Sequence, residues 1–252
     1  REVAEISNMT IPSTMPYIGR AAFAHKGGMH VDALLKENTS YEHINPELVG
    51  NKRRYLLSEF SGRAAVLSRI NQVDPGLSKN DPVTNNIISK IKQMEYEGYQ
   101  FEGADASFEL LIARELDRTK PYFSLQHFKV IDEQRHNDGS TSASAIVKIL
   151  VGDKTELTVA EGTGPVEALD IALRKALEVF YPAIRHIRLV DYKVRVLDSK
   201  LAAASKVRVL IESTDGQHVW GTVGVSVDII EASVIALLDA MEYKLWLDNK
   251  SN

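Results

Sequence analysis

The chain has 252 residues, 44% hydrophobic and 25% charged, with a net charge of −4, so a soluble globular protein of two domains is expected. No basic stripe offers a nucleic-acid surface, and no apolar run approaches the roughly 20 residues that cross a bilayer. The absence of cysteine excludes disulfides, thiolate nucleophiles and Cys-based zinc sites. No secretory signal is recognisable, so a cytoplasmic location is expected. The first residue is Arg1, in what reads as mid-element (REVAEISNMTIP), and a piece of a longer protein is therefore expected.

Residues 1–119 read as a domain of helices and loops. Gly27-Gly28 opens a helix carrying Val31, Leu34 and Leu35 to about Lys36. A second helix is expected over 61–73, with Ala65, Leu67 and Ile70 near helical spacing and Ser61 as its cap. Asp81-Pro82 starts a third, an N-cap carboxylate followed by proline at the first helical position, and Gly98 ends it. A fourth spans about Asp105 to Leu116. The basic cluster Lys52-Arg53-Arg54 suits a phosphate or carboxylate, but also reads as a solvated edge.

From residue 120 the hydrophobic period becomes two, and the pattern occurs twice. Three strands and the apolar helix EALDIALRKALEVF are followed by three more strands and EASVIALLDAMEYKL. Phe128-Lys129-Val130 maps onto Tyr192-Lys193-Val194, Gly152 onto Gly216, Glu167-Ala168 onto Glu231-Ala232, and Ile171-Ala172-Leu173 onto Ile235-Ala236-Leu237, always 64 residues apart. This is an internal β-β-β-α duplication over about 120–183 and 184–252, and the fold class is α+β. The first helix carries apolar residues around most of its circumference, which predicts burial between layers and a homodimer through residues 120–252.

The stretches PYIGRAAFAHKGGMHVDALLK and YEHINPELVGNKRRYLLSEFSGRAAVL resemble the segment that follows the catalytic barrel in the 2-isopropylmalate, homocitrate and citramalate synthase family. EGYQFEGADASFELL and TVGVSVDIIEAS resemble its citramalate branch, and the repeated unit with EGTGPVEAL is similar to the family's effector-binding domain. The resemblance covers nearly the whole chain. It implies a homodimeric acyltransferase that condenses acetyl-CoA with pyruvate in isoleucine biosynthesis. It also implies a TIM barrel whose divalent metal is held by an aspartate and an HxH pair. This sequence contains no HxH and lacks the length for eight β/α units. Residues 1–119 are then linker, 120–252 a regulatory domain, and neither is catalytic alone. The alternatives are the same portion of an isopropylmalate or homocitrate synthase answering to leucine or lysine, and a stand-alone amino-acid sensing module.

The most chemically loaded stretch is AHKGGMHVDALLK. His25 and His30 are five apart, about 140° around a helix, which is poor geometry for sharing a metal. Lys26-Gly27-Gly28 reads as a phosphate nest or, more simply, a turn. The resemblance implies that His30 and Asp32, in the family's HxD arrangement, reach into the partner subunit's barrel, with Asn38 and Tyr41 beside acetyl-CoA. A histidine there suits proton abstraction from the acetyl methyl group or donation to the forming alkoxide. His43 reads as structural.

In the regulatory domain, the amides that open helix 167–180 offer a place for a small carboxylate next to apolar side chains. By resemblance the effector pocket comprises Gly162, Thr163, Gly164, Pro165 and Val166, with Tyr192 and Val196, and isoleucine is the expected feedback inhibitor. Ser226 and Asp228 stand where Gly162 and Gly164 would repeat, so one pocket per chain is expected.

Overall fold

The computed structural model describes residues 81–134, 141–197 and 205–250 without a break. Before them it describes 7, 11–12, 14–19, 21–25, 33–34, 37, 41–55, 66–67, 70–71, 73–74 and 76–77. Two compact units emerge, residues 1–92 and 93–252.

In the first unit, β1 (Ala24–His25) pairs in parallel with β2 (Arg54–Tyr55). Between them a 3-10 turn over Pro46–Val49 starts at Asn45, whose side chain accepts from the Glu47 amide, and closes on Gly50. Of the helices expected over 27–36 and 61–73, residues 33, 34, 66, 67, 70, 71 and 73 are helical, and the remainder lie outside the described residues. Leu34, Val66, Leu67 and Ile70 are buried. The division between the units falls inside α1 (Pro82–Glu97). As the Asp81-Pro82 pair predicts, Asp81 Oδ1 accepts from the Val83 amide at 3.1 Å.

The second unit carries α2 (Asp105–Glu115) and then the duplication. Its first copy is β3 (Ser124–Gln134), β4 (Thr141–Val151), β5 (Lys154–Gly162) and α3 (Pro165–Glu178). The second is β6 (Arg188–Val196), β7 (Val207–Thr214), β8 (Val219–Ser226) and α4 (Ile229–Lys250). Each copy is an antiparallel three-stranded sheet in sequential order. The copies agree in detail. Register slips between Leu125 and His127 in one and between Leu189 and Asp191 in the other. Thr158 Oγ1 donates to Ala172 O at 2.7 Å, and Thr222 Oγ1 to Ala236 O at 2.8 Å, fastening each third strand to its own helix.

The strand alternation explains the core. Ala143, Ala145, Val147 and Ile149 of β4 face inward and are buried, and Val209 and Ile211 do the same in β7. Both sheets and both helices share one hydrophobic cluster. The predicted enclosure belongs more to α4 than to α3. No residue of α4 from Ala232 to Asp248 is exposed, whereas Glu167 and Lys175 within α3 are. The cause is α2, which packs on α4 and β8 and thereby joins the unit of the sheets.

At the β7–β8 turn Asp215 receives Lys244 at 2.8 Å and the amides of Gln217 and His218. Burial pushes its carboxyl up, but Lys244 and these amides outweigh burial and hold it well below its usual range. A depressed folded pKa gives stability that is present above the unfolded value of 3.8 and lost as pH falls toward the folded one. Asp215→Asn is expected to cost about 1–3 kcal/mol at pH 7 and to flatten the acid limb of the stability–pH curve, read by urea unfolding. Thr222→Val, at the wholly buried copy of the strand–helix bond, is expected to cost about 1 kcal/mol by the same measurement, and Thr158→Val less.

Candidate functional site

The β5–α3 junction is built from backbone constraints. At Gly162 the first turn of α3 comes so close that a Cβ would lie 2.6 Å from the Ala168 amide nitrogen, which only glycine avoids. Gly164 is the extended N-cap and offers no side chain, Pro165 takes the first helical position, and the Ala168 amide closes the first turn on Gly164 O at 3.0 Å. Glu167 reaches back instead: its Oε2 accepts from the Thr163 hydroxyl at 2.6 Å and from the Thr163 amide at 2.8 Å. The Thr163 hydroxyl, and then its amide, hold the Glu167 carboxyl below its usual range. The amide of Thr163, a residue of the expected effector pocket, is therefore occupied by the chain's own exposed carboxylate.

The second copy solves the same junction differently. Asp228 Oδ1 caps α4 by accepting from the Ile230 amide at 2.7 Å, the Asp228 amide donates to Ser226 Oγ at 3.1 Å, and the Ser226 hydroxyl donates to Glu231. With an aspartate already seated on the helix start, a second anion there meets like charge. This is the physical reason for a single candidate pocket.

On β6, Tyr192 is half-buried against the common core. Ser233 donates to Ile229 O at 2.6 Å, so the 2.8 Å contact between the two hydroxyls has Tyr192 as donor. Val196, at the strand end, is 53% exposed. Further along α3 lies a pair that the motif reading passes over. Asp170 is buried, receives Arg174 at 2.5 Å, and has its carboxyl pushed up by burial, only partly offset by Arg174. Arg174 also donates to Ile187 O at 3.3 Å, and its Nε is buried with no partner among the described residues. The duplication carried the signal. Where the first copy has Asp170 and Arg174, the second has Val234 and Leu238, and these line an apolar cavity of about 10 Å³ with Leu125, Phe128, Leu169 and Leu237. That gap is far too small for an amino-acid side chain.

In the first unit, His30, Asp32 and Asn38 lie outside the described residues, as does the Lys26-Gly27-Gly28 turn. Tyr41 is 52% exposed. Its neighbour Glu42 is buried and accepts from His25 Nε2 at 2.9 Å and from Arg53 Nε and Nη2 at 2.8 and 2.6 Å. Arg53 lowers the Glu42 pKa most, burial opposes, and His25 lowers it further. Arg53 is thus engaged in an ion pair rather than offered to an anion, and Glu42 was not legible as its partner. His43 meets Tyr17 edge to face, its Nε2 3.4 Å from the tyrosine hydroxyl, in keeping with a structural role. Among the described residues no three His, Asp or Glu side chains are gathered to hold a metal ion, and no helix is long and apolar enough to cross a membrane.

Comparison with known proteins gives two family matches. Residues 102–245 match the LeuA allosteric (dimerisation) domain, and residues 17–98 match a homocitrate synthase post-HMGL domain-like family. The chain is 51% identical over 245 residues to an (R)-citramalate synthase of Geobacter sulfurreducens, covering 97% of this chain and 46% of that protein. It is 48% identical over 248 residues to one of Aquifex aeolicus (98% and 47%) and 45% identical over 250 residues to one of Synechocystis (98% and 46%). The chain spans about half the length of the curated relatives it matches. On the geometry of the β5–α3 junction, Glu167→Gln is expected to weaken the loop closure without unfolding the domain. The check is faster amide exchange at Thr163 with an unchanged midpoint of thermal unfolding.

Proposed function

The chain belongs to the family of the LeuA allosteric (dimerisation) domain, and we propose that it is the linker and regulatory portion of an acetyl-CoA-dependent citramalate synthase. In this reading it acts as a homodimer in the cytoplasm and binds isoleucine as feedback inhibitor. The name (R)-citramalate synthase, carried by its relatives, supports the citramalate branch, and the substrate pair of acetyl-CoA and pyruvate follows from the sequence resemblance to that branch. The observation that carries the regulatory reading is the asymmetry of the two helix starts. The first has a glycine N-cap without a side-chain cap, while the second is closed by Asp228.

An α-amino acid presents a carboxylate, an ammonium group and an apolar side chain. The amides at the start of α3 suit the carboxylate, Glu167 offers negative charge for the ammonium, and Val166 supplies apolar surface. Tyr192, which bonds Ser233 of α4, and Val196 are assigned to the pocket on the resemblance alone. Glu167 is exposed, so its release from Thr163 to make room for an effector carboxylate is inexpensive. In the linker, His30 and Asp32 are assigned to proton transfer at the acetyl methyl group and the forming alkoxide, and Asn38 and Tyr41 to the acetyl-CoA side. The barrel's divalent metal polarises the oxo acid when bound. Its ligands are assigned to the barrel, and the 252 residues by themselves are expected to be inactive.

Calorimetric titration of the chain with isoleucine, leucine, valine and lysine tests the reading. Saturable binding of isoleucine alone is expected, and Gly162→Ala, which drives a Cβ against the Ala168 amide, is expected to weaken it at least about tenfold, about 1.4 kcal/mol. Leucine or lysine binding in place of isoleucine would overturn the citramalate branch. In the full-length protein, His30→Ala is expected to lower the rate of thiol release from acetyl-CoA with pyruvate by about 100-fold or more, and an unchanged rate would remove His30 from the mechanism.

A further inference from the structure

Among the described residues, the segment from Gly98 to Arg114 is fastened to the second copy. Arg208 of β7 donates from Nε to Gly98 O at 2.6 Å and from Nη1 to Gln100 Oε1 at 2.5 Å. The Gly103 carbonyl lies so close to β8 that a Cβ on Gly221 would come within 1.8 Å of its oxygen. Ser107 of α2 accepts from the Val223 amide at 3.1 Å and donates to Asp239 Oδ2 at 2.7 Å. Arg114 Nη2 reaches Asp239 Oδ1 at 2.9 Å and Glu242 Oε2 at 2.5 Å, and Tyr243 donates to Glu109 at 3.0 Å.

In the first copy the residues matching Gly221, Val223, Asp239 and Tyr243 are Leu157, Val159, Lys175 and Val179. Leu157, Val159 and Val179 are 60%, 53% and 61% exposed, so no described segment of the chain is docked there. A leucine in place of Gly221 also forbids the same close approach. The two copies have divided the work. The first keeps the glycine loop and its uncapped helix, and the second has given that loop up and holds the upstream chain.

What joins them is the α3–α4 contact. Leu169 and Leu173 of α3 meet Val234, Leu237 and Leu238 of α4 around a gap of about 10 Å³. A seam this full does not absorb a displacement of α3, because close-packed interiors transmit strain. The adjoining flank of α4 is held by charged hydrogen bonds to Arg114, which cannot part without leaving the half-buried Asp239 and the buried Glu242 without that cation.

We propose that α4 is the coupling element of this chain: occupation of the first copy's glycine loop is passed through α3 to α4, and through the Asp239–Arg114 clasp to α2 and the upstream linker. This rests on the reading of that loop as the isoleucine site. It makes Asp239 and Arg114 positioning residues for regulation, with no contact to the effector.

Hydrogen exchange of the chain with and without saturating isoleucine tests the proposal, with calorimetry alongside. In the unsubstituted chain isoleucine is expected to slow exchange in 165–178 and in 229–250, and also, about fivefold, in 105–115. In Asp239→Asn the protection of 165–178 is expected to persist while that of 105–115 falls to less than half. Tyr243→Phe, a milder loosening of the same seam, is expected to lie between the two, and serves if Asp239→Asn does not fold. Protection of 165–178 with none in 105–115 in the unsubstituted chain overturns the proposal, as does equal protection of 105–115 in both variants. Absence of calorimetric binding overturns the isoleucine reading itself, and the coupling with it.

Discussion

A 22-residue helix whose apolar residues fall on every side cannot lie on a surface, and the second unit is arranged around that constraint. Its own sheet covers one side of α4 and α3 covers another. The duplication supplies no third layer, so α2 is recruited from upstream to close the remaining flank. The seam it makes is polar where it could have been apolar. Ser107, Glu109 and Arg114 meet Asp239, Glu242 and Tyr243, and burial pushes the Glu242 carboxyl up despite Arg114. Apolar helices pack in many registers, whereas a serine shared between a strand amide and a carboxylate fits in one. The desolvation cost of these groups gives α2 a unique seat.

The same duplication also shows how two copies of one unit diverge without losing the fold. The features that set the backbone are retained in both: the register slip at the first strand, the glycine turn after the second, and the threonine that ties the third strand to the helix. The features that set chemistry have changed. Gly164 corresponds to Asp228 at the helix start, and the apolar Val234 and Leu238 of one copy stand where the other has the charged Asp170 and Arg174. Core volume and strand pairing tolerate few changes, whereas a helix cap can be made by a glycine backbone or an aspartate side chain at similar stability.

How much of this was legible in the sequence follows from the range of each interaction. Strand alternation, the helix start at Asp81-Pro82 and the repeat itself are local patterns, and each appears in the structure where the residues place it. The seat of α2 was not legible, because Ser107 and Asp239 are 132 positions apart and neither carries a local mark of its partner. The fuller burial of α4 followed from that missing contact, since apolar residues spread around a helix reveal a need for cover but not its source. Glu42 and its cations escaped for the same reason. Asp170 and Arg174 were within reach, as charged residues where the other copy has aliphatic ones, but only a comparison of the two copies shows them.

The candidate site is best understood as a competition among carboxylates for a few backbone amides. In the second copy the contest is closed, because Asp228 sits at the N-cap itself, where local geometry favours it over any diffusing anion. In the first copy the occupant is Glu167, which holds the Thr163 amide and hydroxyl from one turn further along while its side chain stands in water. An exposed hydrogen bond of this kind is readily exchanged, since solvent compensates both partners when it opens. The glycine at 164 thus leaves the helix start structurally satisfied yet available. The aspartate at 228 makes the equivalent end purely structural, and frees the second copy to serve as the mount for the upstream chain.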